Sequence, residues 1–119
     1  MRNFCIYTGT VFCYGTLMES KFAAMRRGML EPVVLAMLDG ESHYAGEIVT
    51  MLREAEFPVQ DGTLHPLLNR MRRDGLLEHE WQESPSGPPR KYLSLTADGR
   101  KQLTKFREYF HRLAQLIER

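Results

Sequence analysis

One continuous stretch, residues 61–96, constrains the fold of this chain most strongly. It begins with DGTLHPLLNRMRRDGLL, whose apolar residues recur at i, i+3, i+4 and i+7 and predict the buried face of a helix. These apolar residues are Leu64, Leu67, Leu68 and Met71. HEWQESPSGPPRKYLSLT follows, and its alternation of polar and apolar residues around a Pro- and Gly-rich segment predicts a β-hairpin. An arginine-rich helix followed by a hairpin that carries Arg90 and Lys91 is typical of a winged helix-turn-helix domain.

The remaining elements extend this pattern to a mainly α fold class with a small β-hairpin, in the order α-α-α-β-β-α. The predicted helices are Met29–Leu38, 43–57, Asp61–Asp74 and 97–119. Ser42 and Thr96 are expected to cap the second and last helices, because their hydroxyls can accept from free amides of the first turn. Gly40 and Gly75 are expected to end the first and third helices.

Prolines place the predicted helix starts and the hairpin loop. Because proline is tolerated in a first turn, Pro32 places the first helix near Met29, and Pro66 places the third near residues 61–63. The hairpin loop is expected to run over residues 84–89. Trp81, on the first strand, is expected to fill the core, and stacking on a ligand is the alternative interpretation.

Residues 1–24 show no helical period, and their β-branched and aromatic residues favour a strand, notably at positions 6, 7 and 11–14. Two interpretations stay open: an N-terminal extension of unknown role, or upstream sequence that precedes a natural start at Met25. The expected division is an extension over 1–24, a winged helix-turn-helix over 25–95 and a dimerisation helix over 96–119. Cys5 and Cys13 are expected to be free thiols of a cytoplasmic protein, because neither lies at zinc-ligand spacing.

The distribution of charge is more informative than the net charge of +1. Residues 60–119 carry 11 Lys and Arg against 8 Asp and Glu, and the excess lies in the third helix, the hairpin and the last helix. No apolar run reaches the ~18 residues of a membrane span. The four histidines form no ligand pair, and no nucleophile or phosphate-loop motif occurs. We therefore expect no metal, no other cofactor and no enzymatic activity.

The outer face of the third helix is the candidate DNA-reading surface. Its polar and cationic side chains can hydrogen-bond to base edges or contact phosphates. These side chains are Thr63, His65, Asn69, Arg70, Arg72 and Arg73. Arg90 and Lys91 follow a stiff proline-rich segment that presents both cations to phosphates at low ordering cost. A solvated cationic surface is the alternative interpretation of both sets.

The last helix carries a hydrophobic stripe although the elements of the winged helix are already complete. Its residues are Leu103, Phe106, Phe110, Leu113, Leu116 and Ile117. Packing into the core of its own chain is the alternative interpretation of this stripe. An apolar stripe on a trailing helix needs a partner, and a second copy of the same helix is the simplest one. We therefore expect a homodimer.

Residues 27–100 resemble the PadR family of bacterial transcriptional regulators. The motifs that carry the resemblance are residues 44–48, DGTLHPLLNRMRRDGLL, GPPRKY and LTADG. The resemblance implies a winged helix with a C-terminal dimerisation helix, and a repressor that binds an inverted repeat in promoter DNA. A small aromatic effector is a further candidate partner. By position, the resemblance places these residues near double-stranded DNA: Tyr44, Thr63, His65, Arg90, Lys91 and Tyr92.

Several residues depart from the family pattern. His65 stands where Tyr is usual, Arg72 where an acidic residue is usual, and Gln60 where a better N-cap is usual. Ala45 and Gly46 replace a Gly-aromatic pair. The last helix contains no Trp, so it lacks the aromatic plate that binds effectors in some multidrug-sensing members.

Sequence and resemblance together predict a homodimeric, DNA-binding repressor. The alternative is a winged-helix module that binds a protein and does not bind DNA. Salt dependence separates the two, because phosphate contacts weaken steeply with ionic strength and an apolar interface does not.

Overall fold

A computed structural model of the chain describes the backbone of residues 9–119 and the side chains of residues 19–119. The elements are α1 (Gly9–Met37), α2 (Ala45–Glu54), α3 (Asp61–Arg73), β1 (Leu77–Ser84), β2 (Gly87–Leu95) and α4 (Ala97–Ile117). This order confirms the predicted fold class. Two compact units divide the chain, Met1–Leu30 and Glu31–Arg119, and the second contains every element from α2 onward. The predicted division at residues 24 and 95 stays a prediction.

Helix α1 is the largest departure from the predicted elements. It begins at Gly9 rather than Met29, so the strand predicted over residues 11–14 is wrong; residues 6 and 7 lie outside the described part. Pro32 lies inside the helix, not in its first turn, and there removes one hydrogen bond of the helical ladder. The helix continues past it because Val34 and Leu35 are fully buried, and packing of an apolar face outweighs a local cost.

The core of the second unit combines one apolar face of each helix with the base of the hairpin. Its buried side chains are Val34, Leu35, Leu38, Ile48, Leu52, Leu64, Leu67, Leu68, Met71, Leu77, Leu93, Leu95 and Leu103. All four residues predicted for the inner face of α3 are in this set, so that prediction is confirmed. Burying side chains of this size contributes about 1.5–3 kcal/mol each. Helix α3 is thereby anchored along one face, and its other face is free to meet a ligand.

The start of α2 is attached directly to the hairpin. Tyr44, not Ser42, is the N-cap residue, and its amide donates to the Glu47 carboxylate at 3.3 Å. One residue earlier, His43 forms an isolated antiparallel bridge with Leu93. Its two main-chain hydrogen bonds have N···O distances of 3.1 and 2.9 Å. These bonds fix where α2 begins relative to β2.

Helix α3 ends as predicted, at a glycine. Gly75 has a φ of +82°, a left-handed conformation that costs glycine little. Its amide donates to the Arg72 carbonyl, and the Leu76 amide donates to the Met71 carbonyl, both at 3.0 Å. This is the Schellman arrangement, which satisfies carbonyls at the end of a helix.

The turn after α3 packs against the start of α4. The Thr96 hydroxyl donates to the Gly75 carbonyl at 2.6 Å and accepts from the Gly99 amide at 3.0 Å, so the predicted cap is confirmed. The Thr96 amide donates to the Leu76 carbonyl at 3.1 Å. A Cβ on Gly99 would overlap that same carbonyl oxygen. Glycine is therefore required where the two segments meet.

The hairpin is longer than predicted and its loop is shorter. Only residues 85 and 86 lie between β1 and β2, so the loop predicted over residues 84–89 is wrong. Pro88 and Pro89 lie in β2, where the register shifts between the pairs Gln82–Arg90 and Ser84–Gly87. Such an irregularity suits proline, which cannot donate to a regular ladder.

Strand β1 contributes little to the core. Leu77 is its one buried residue, and Trp81 is 61% exposed. The prediction that Trp81 fills the core is therefore wrong. The alternating pattern was correct for a strand, but residues after Leu77 extend past the core, so neither face of the distal hairpin is buried.

Helix α2 ends with the same arrangement as α3, but a glutamate occupies the left-handed position. Glu56 has a φ of +60°. Its amide donates to the Arg53 carbonyl at 3.0 Å, and the Phe57 amide donates to the Leu52 carbonyl at 2.8 Å. A side chain at this position crowds its own backbone, which glycine would avoid.

We expect Glu56→Gly to raise the free energy of unfolding by up to about 1 kcal/mol, because it removes the strain of a left-handed glutamate. Urea denaturation followed by circular dichroism measures the change. Glu56→Ala is the matched control: it keeps a Cβ and should give no comparable gain. Equal stabilisation by Ala and Gly would show that backbone strain is not the cause.

Candidate nucleic-acid interface

The outer face of α3 is polar and accessible. Thr63, His65 and Asn69 are exposed, and so are Arg70 and Arg73, whereas Arg72 is half-buried. Because the opposite face of α3 is buried in the core, the outer face has a fixed orientation relative to the rest of the domain. Gln60 at the N-cap makes no side-chain capping hydrogen bond, in line with its expected weakness in that role.

An open cleft of about 320 Å³ lies between α3, the start of α2 and the hairpin. Its lining residues are Tyr44, Ala45, Gly46, His65, Leu68, Asn69, Arg72, Trp81, Arg90, Lys91 and Leu93. Three of them are permanent cations and none is a carboxylate. A concave cationic surface without acidic residues attracts anions, and the phosphates of a nucleic acid backbone are the anions that an extended surface of this kind fits.

Both cations of the hairpin lie against aromatic rings. The Arg90 guanidinium carbon is 4.5 Å from the centre of the Tyr44 ring. The Lys91 ammonium is 5.6 Å from the centre of the Trp81 ring, and these two residues are cross-strand partners. Cation–π contacts of this kind orient a cation without neutralising its charge.

The structure brings together six of the ten residues predicted to bind DNA. They line the cleft and are Tyr44, His65, Asn69, Arg72, Arg90 and Lys91. Tyr92 lies next to them, with its ring 5.4 Å from that of Tyr44. Thr63 and Arg73 are exposed near the two ends of α3 and do not line the cleft.

Arg70 has a different environment from the other arginines of α3. Its guanidinium lies 3.7 Å from the Glu31 carboxylate, so part of its charge is balanced within the protein. Arg72, only two residues away, lines the cleft, and among the described residues it has no carboxylate within ion-pair distance. The two arginines therefore differ in the charge that they offer to a phosphate.

Sequence reasoning missed Trp81 and the Ala45–Gly46 pair as parts of this surface. The prediction places Trp81 in the core because a lone Trp on a strand more often fills a core than stacks on a ligand, and this argument does not show where a hairpin leaves the core. A usable signal was present: Trp81 lies four residues along the strand from Leu77, on the same face, and close to the hairpin loop. Side chains so near a protruding loop are usually in solvent.

Helix α4 divides its predicted dimer stripe between the core and the surface. Leu103 is buried within its own chain, whereas Phe106 and Leu113 are half-buried. Phe110, Leu116 and Ile117 are exposed, and Tyr109, which was not predicted, is exposed beside them. The distal half of α4 therefore presents apolar side chains to solvent, while Leu103 is part of the core.

Other kinds of site have no candidate among the described residues. No group of three or more His, Cys, Asp and Glu side chains is close enough there to hold a metal ion. The cysteines lie outside the described side chains. In the same part of the chain, no helix combines the length and the hydropathy that crossing a membrane requires.

Comparisons with known proteins agree with this geometry. The family model described as the transcriptional regulator PadR-like family matches residues 34–105. The chain is similar to a PadR-like transcription factor from Bacteroides fragilis, with 40% identity, coverage of 83% of this chain and 96% of that one, and a TM-score of 0.70.

Two further solved structures are similar over most of both chains. A PadR family transcriptional regulator from Eggerthella lenta is 31% identical, with coverage of 89% and 93% and a TM-score of 0.81. A PadR-like transcriptional regulator from Bacillus cereus is 32% identical, with coverage of 80% and 93% and a TM-score of 0.74. No protein with a curated description matches the chain.

We expect Arg72→Ala to weaken binding to duplex DNA of any sequence, and to reduce the steepness of log K against log salt by about 0.9, the value of one phosphate contact. Arg70→Ala is the matched control on the same helix, and its pairing with Glu31 should make the loss smaller. Fluorescence anisotropy of a labelled random-sequence duplex across a KCl series measures both. A larger loss for Arg70→Ala than for Arg72→Ala would contradict the assignment.

Proposed function

The chain belongs to the PadR-like family of transcriptional regulators, and from this premise we propose that it is a repressor that binds an inverted-repeat DNA operator as a homodimer. Members of this family are transcriptional regulators and not enzymes. The observation that carries the proposal is the cationic cleft shared by α3 and the hairpin. The cleft lies between a helix suited to a major groove and the β1–β2 hairpin, which is the wing of the fold. Two cations of this wing lie against aromatic rings.

Helix α3 is proposed to read the operator. Its outer face presents Thr63 and His65 near the N-terminal end and Asn69 past the middle of the helix, and all three side chains can hydrogen-bond to base edges. Arg72, with Arg90 and Lys91 of the hairpin, supplies charge for the phosphates on either side of the groove. Phosphate contacts fix the position of the helix, and contacts to bases select the sequence.

Homodimerisation is proposed to occur through the distal half of α4. Phe110 and Ile117 lie seven residues apart on one face and are 55% and 78% exposed, which is costly for large apolar side chains in water. A second copy of the helix would cover them. Two recognition helices held by such symmetry could meet the two halves of an inverted repeat.

We further propose a response to a small aromatic effector that binds without an indole from α4. The chain has one tryptophan, Trp81, and it lies in the hairpin, so α4 cannot supply the indole plate expected from the resemblance. Any effector would have to use other side chains of a dimer interface.

The competing function is a winged-helix module that binds a protein through an apolar surface. It lacks support from the cleft, whose three cations and missing carboxylates favour a polyanion. Salt dependence of binding still separates the two, because only a phosphate interface releases counterions on association.

We expect the protein to bind DNA from upstream of its own gene more tightly than random-sequence DNA, because regulators of this kind often repress themselves. Gel-shift titration of both duplexes at several salt concentrations is the measurement. Affinity should fall steeply with salt for both. Binding that ignores salt, or no binding to either duplex, would favour the protein-interaction alternative.

We expect the double variant Phe110→Ala, Ile117→Ala to shift the protein toward monomer, because it removes apolar surface worth roughly 1.5–3 kcal/mol per fully buried side chain. Sedimentation velocity at micromolar concentration reports the change, and circular dichroism checks the fold.

The matched control for this experiment is Glu108→Ala with Gln115→Ala, two exposed polar residues at the same spacing on α4. It should leave the oligomeric state as it is. If the apolar double variant remains a folded dimer, the interface lies elsewhere. If it becomes a monomer, binding to an inverted repeat should weaken more than binding to random DNA.

A further inference from the structure

The ring of Tyr44 is held in a small cluster at the junction of α2 and the hairpin. The Arg90 guanidinium carbon lies 4.5 Å from its ring centre. The Tyr92 ring meets it edge to face, with centres 5.4 Å apart and planes at 72°. A Cβ on Gly46 would come within 2.8 Å of Tyr44 Cε2. The ring thus occupies space that is open only because residue 46 is glycine.

Arg90 depends on this ring for its placement. Within the described part of the chain, no carboxylate lies within ion-pair distance of its guanidinium. A long flexible side chain on a protruding hairpin otherwise samples many rotamers. A guanidinium that lies over an aromatic ring can keep N–H groups free to donate, because the ring uses none of them as a hydrogen-bond acceptor. Those donors match the two oxygens of a phosphate.

We propose that Tyr44 is a positioning residue: it holds the Arg90 guanidinium in the cleft in the orientation that receives one backbone phosphate of DNA. Tyr44 then contributes to affinity through Arg90 and not through a contact of its own. The inference rests on the proposed DNA-binding function and deepens it, because it assigns a role to the N-cap residue of α2, which lies in neither α3 nor the hairpin.

The backbone supports this role. The two hydrogen bonds between His43 and Leu93 hold the residue before Tyr44 against the strand that carries Arg90. The Tyr44 amide is in turn held by Glu47. The ring and the guanidinium are therefore carried by segments that are fixed to each other, which is what preorganising a cation requires.

A double-mutant cycle of Tyr44→Leu and Arg90→Ala tests the proposal, with anisotropy of a labelled random-sequence duplex as the readout. We expect each single variant to bind about threefold to tenfold more weakly, the range of a partly exposed cation–π contact. The double variant should bind no more weakly than Arg90→Ala alone. Tyr44→Phe restores the ring and should recover most of the affinity that Tyr44→Leu loses, which a direct contact by the Tyr44 hydroxyl would not allow.

Gly46→Ala separates positioning from folding. Alanine has the higher helix propensity, which offsets part of the cost of moving the Tyr44 ring, so the variant should stay folded. Its Cβ displaces the ring and should weaken DNA binding. Gly28→Ala is the matched control, because it is also a helical glycine but has no atom within 4 Å of an added Cβ. It should gain stability without losing affinity. If Tyr44→Leu does not fold, Gly46→Ala takes its place in the cycle, and parental affinity would then overturn the proposal.

The stack can also be observed without DNA. Side-chain protons of Arg90 should show an upfield ring-current shift in the NMR spectrum of the parent, and Tyr44→Leu or, if that variant does not fold, Gly46→Ala should reduce it. Absence of the shift, or additive effects in the cycle, overturns the positioning role while leaving DNA binding intact. Failure of the parent to bind duplex DNA at any salt concentration would instead remove the proposed function and this inference with it.

Discussion

The arrangement of this domain depends on the close approach between the turn after α3 and the first turn of α4. Thr96 joins the two segments through its hydroxyl and its amide, and Gly99 lets them come together without a steric clash. The hairpin begins and ends at this point. The base of the hairpin lies between the end of α3 and the start of α4. The hydrogen bonds that join these two helix ends therefore help to orient the hairpin and its cations.

A second attachment completes the cleft from the other side. The bridge between His43 and Leu93 ties the start of α2 to β2, so three separate segments of the chain converge on one cationic concavity. Each supplies something different: α3 presents hydrogen-bonding side chains, the hairpin supplies cations, and Tyr44, at the N-cap of α2, supplies the aromatic ring against which Arg90 lies. A nucleic acid surface is recognised best by such rigid, preorganised groups, because little ordering is left to be done on binding.

The features that could be predicted from the sequence are those that depend on residues close together in the chain. The period of apolar residues located α3 and its buried face, and the chemistry of Gly75 and Thr96 located two helix ends. The predictions that were wrong concern features that depend on packing between residues far apart in the sequence. Pro32 destabilises the interior of an isolated helix. In this chain, α1 continues past Pro32 because the apolar residues of the next turn are buried. Trp81 has the pattern of a core residue, yet only the three-dimensional extent of the core shows that the strand has already left it. The cleft itself could not be predicted, because its residues come from parts of the chain far apart in sequence.

The two prolines in the return strand affect how its exposed edge can pair with another strand. A protruding two-stranded ribbon exposes unpaired strand edges, and such edges invite pairing with strands of other molecules. Pro88 and Pro89 have no amide hydrogen to offer, and the irregular register beside them bends the strand away from a regular ladder. A foreign strand that approached β2 at Pro88 and Pro89 would find no amide donors at those two positions. At this part of its edge, the hairpin is therefore a poor template for pairing with a strand of another molecule.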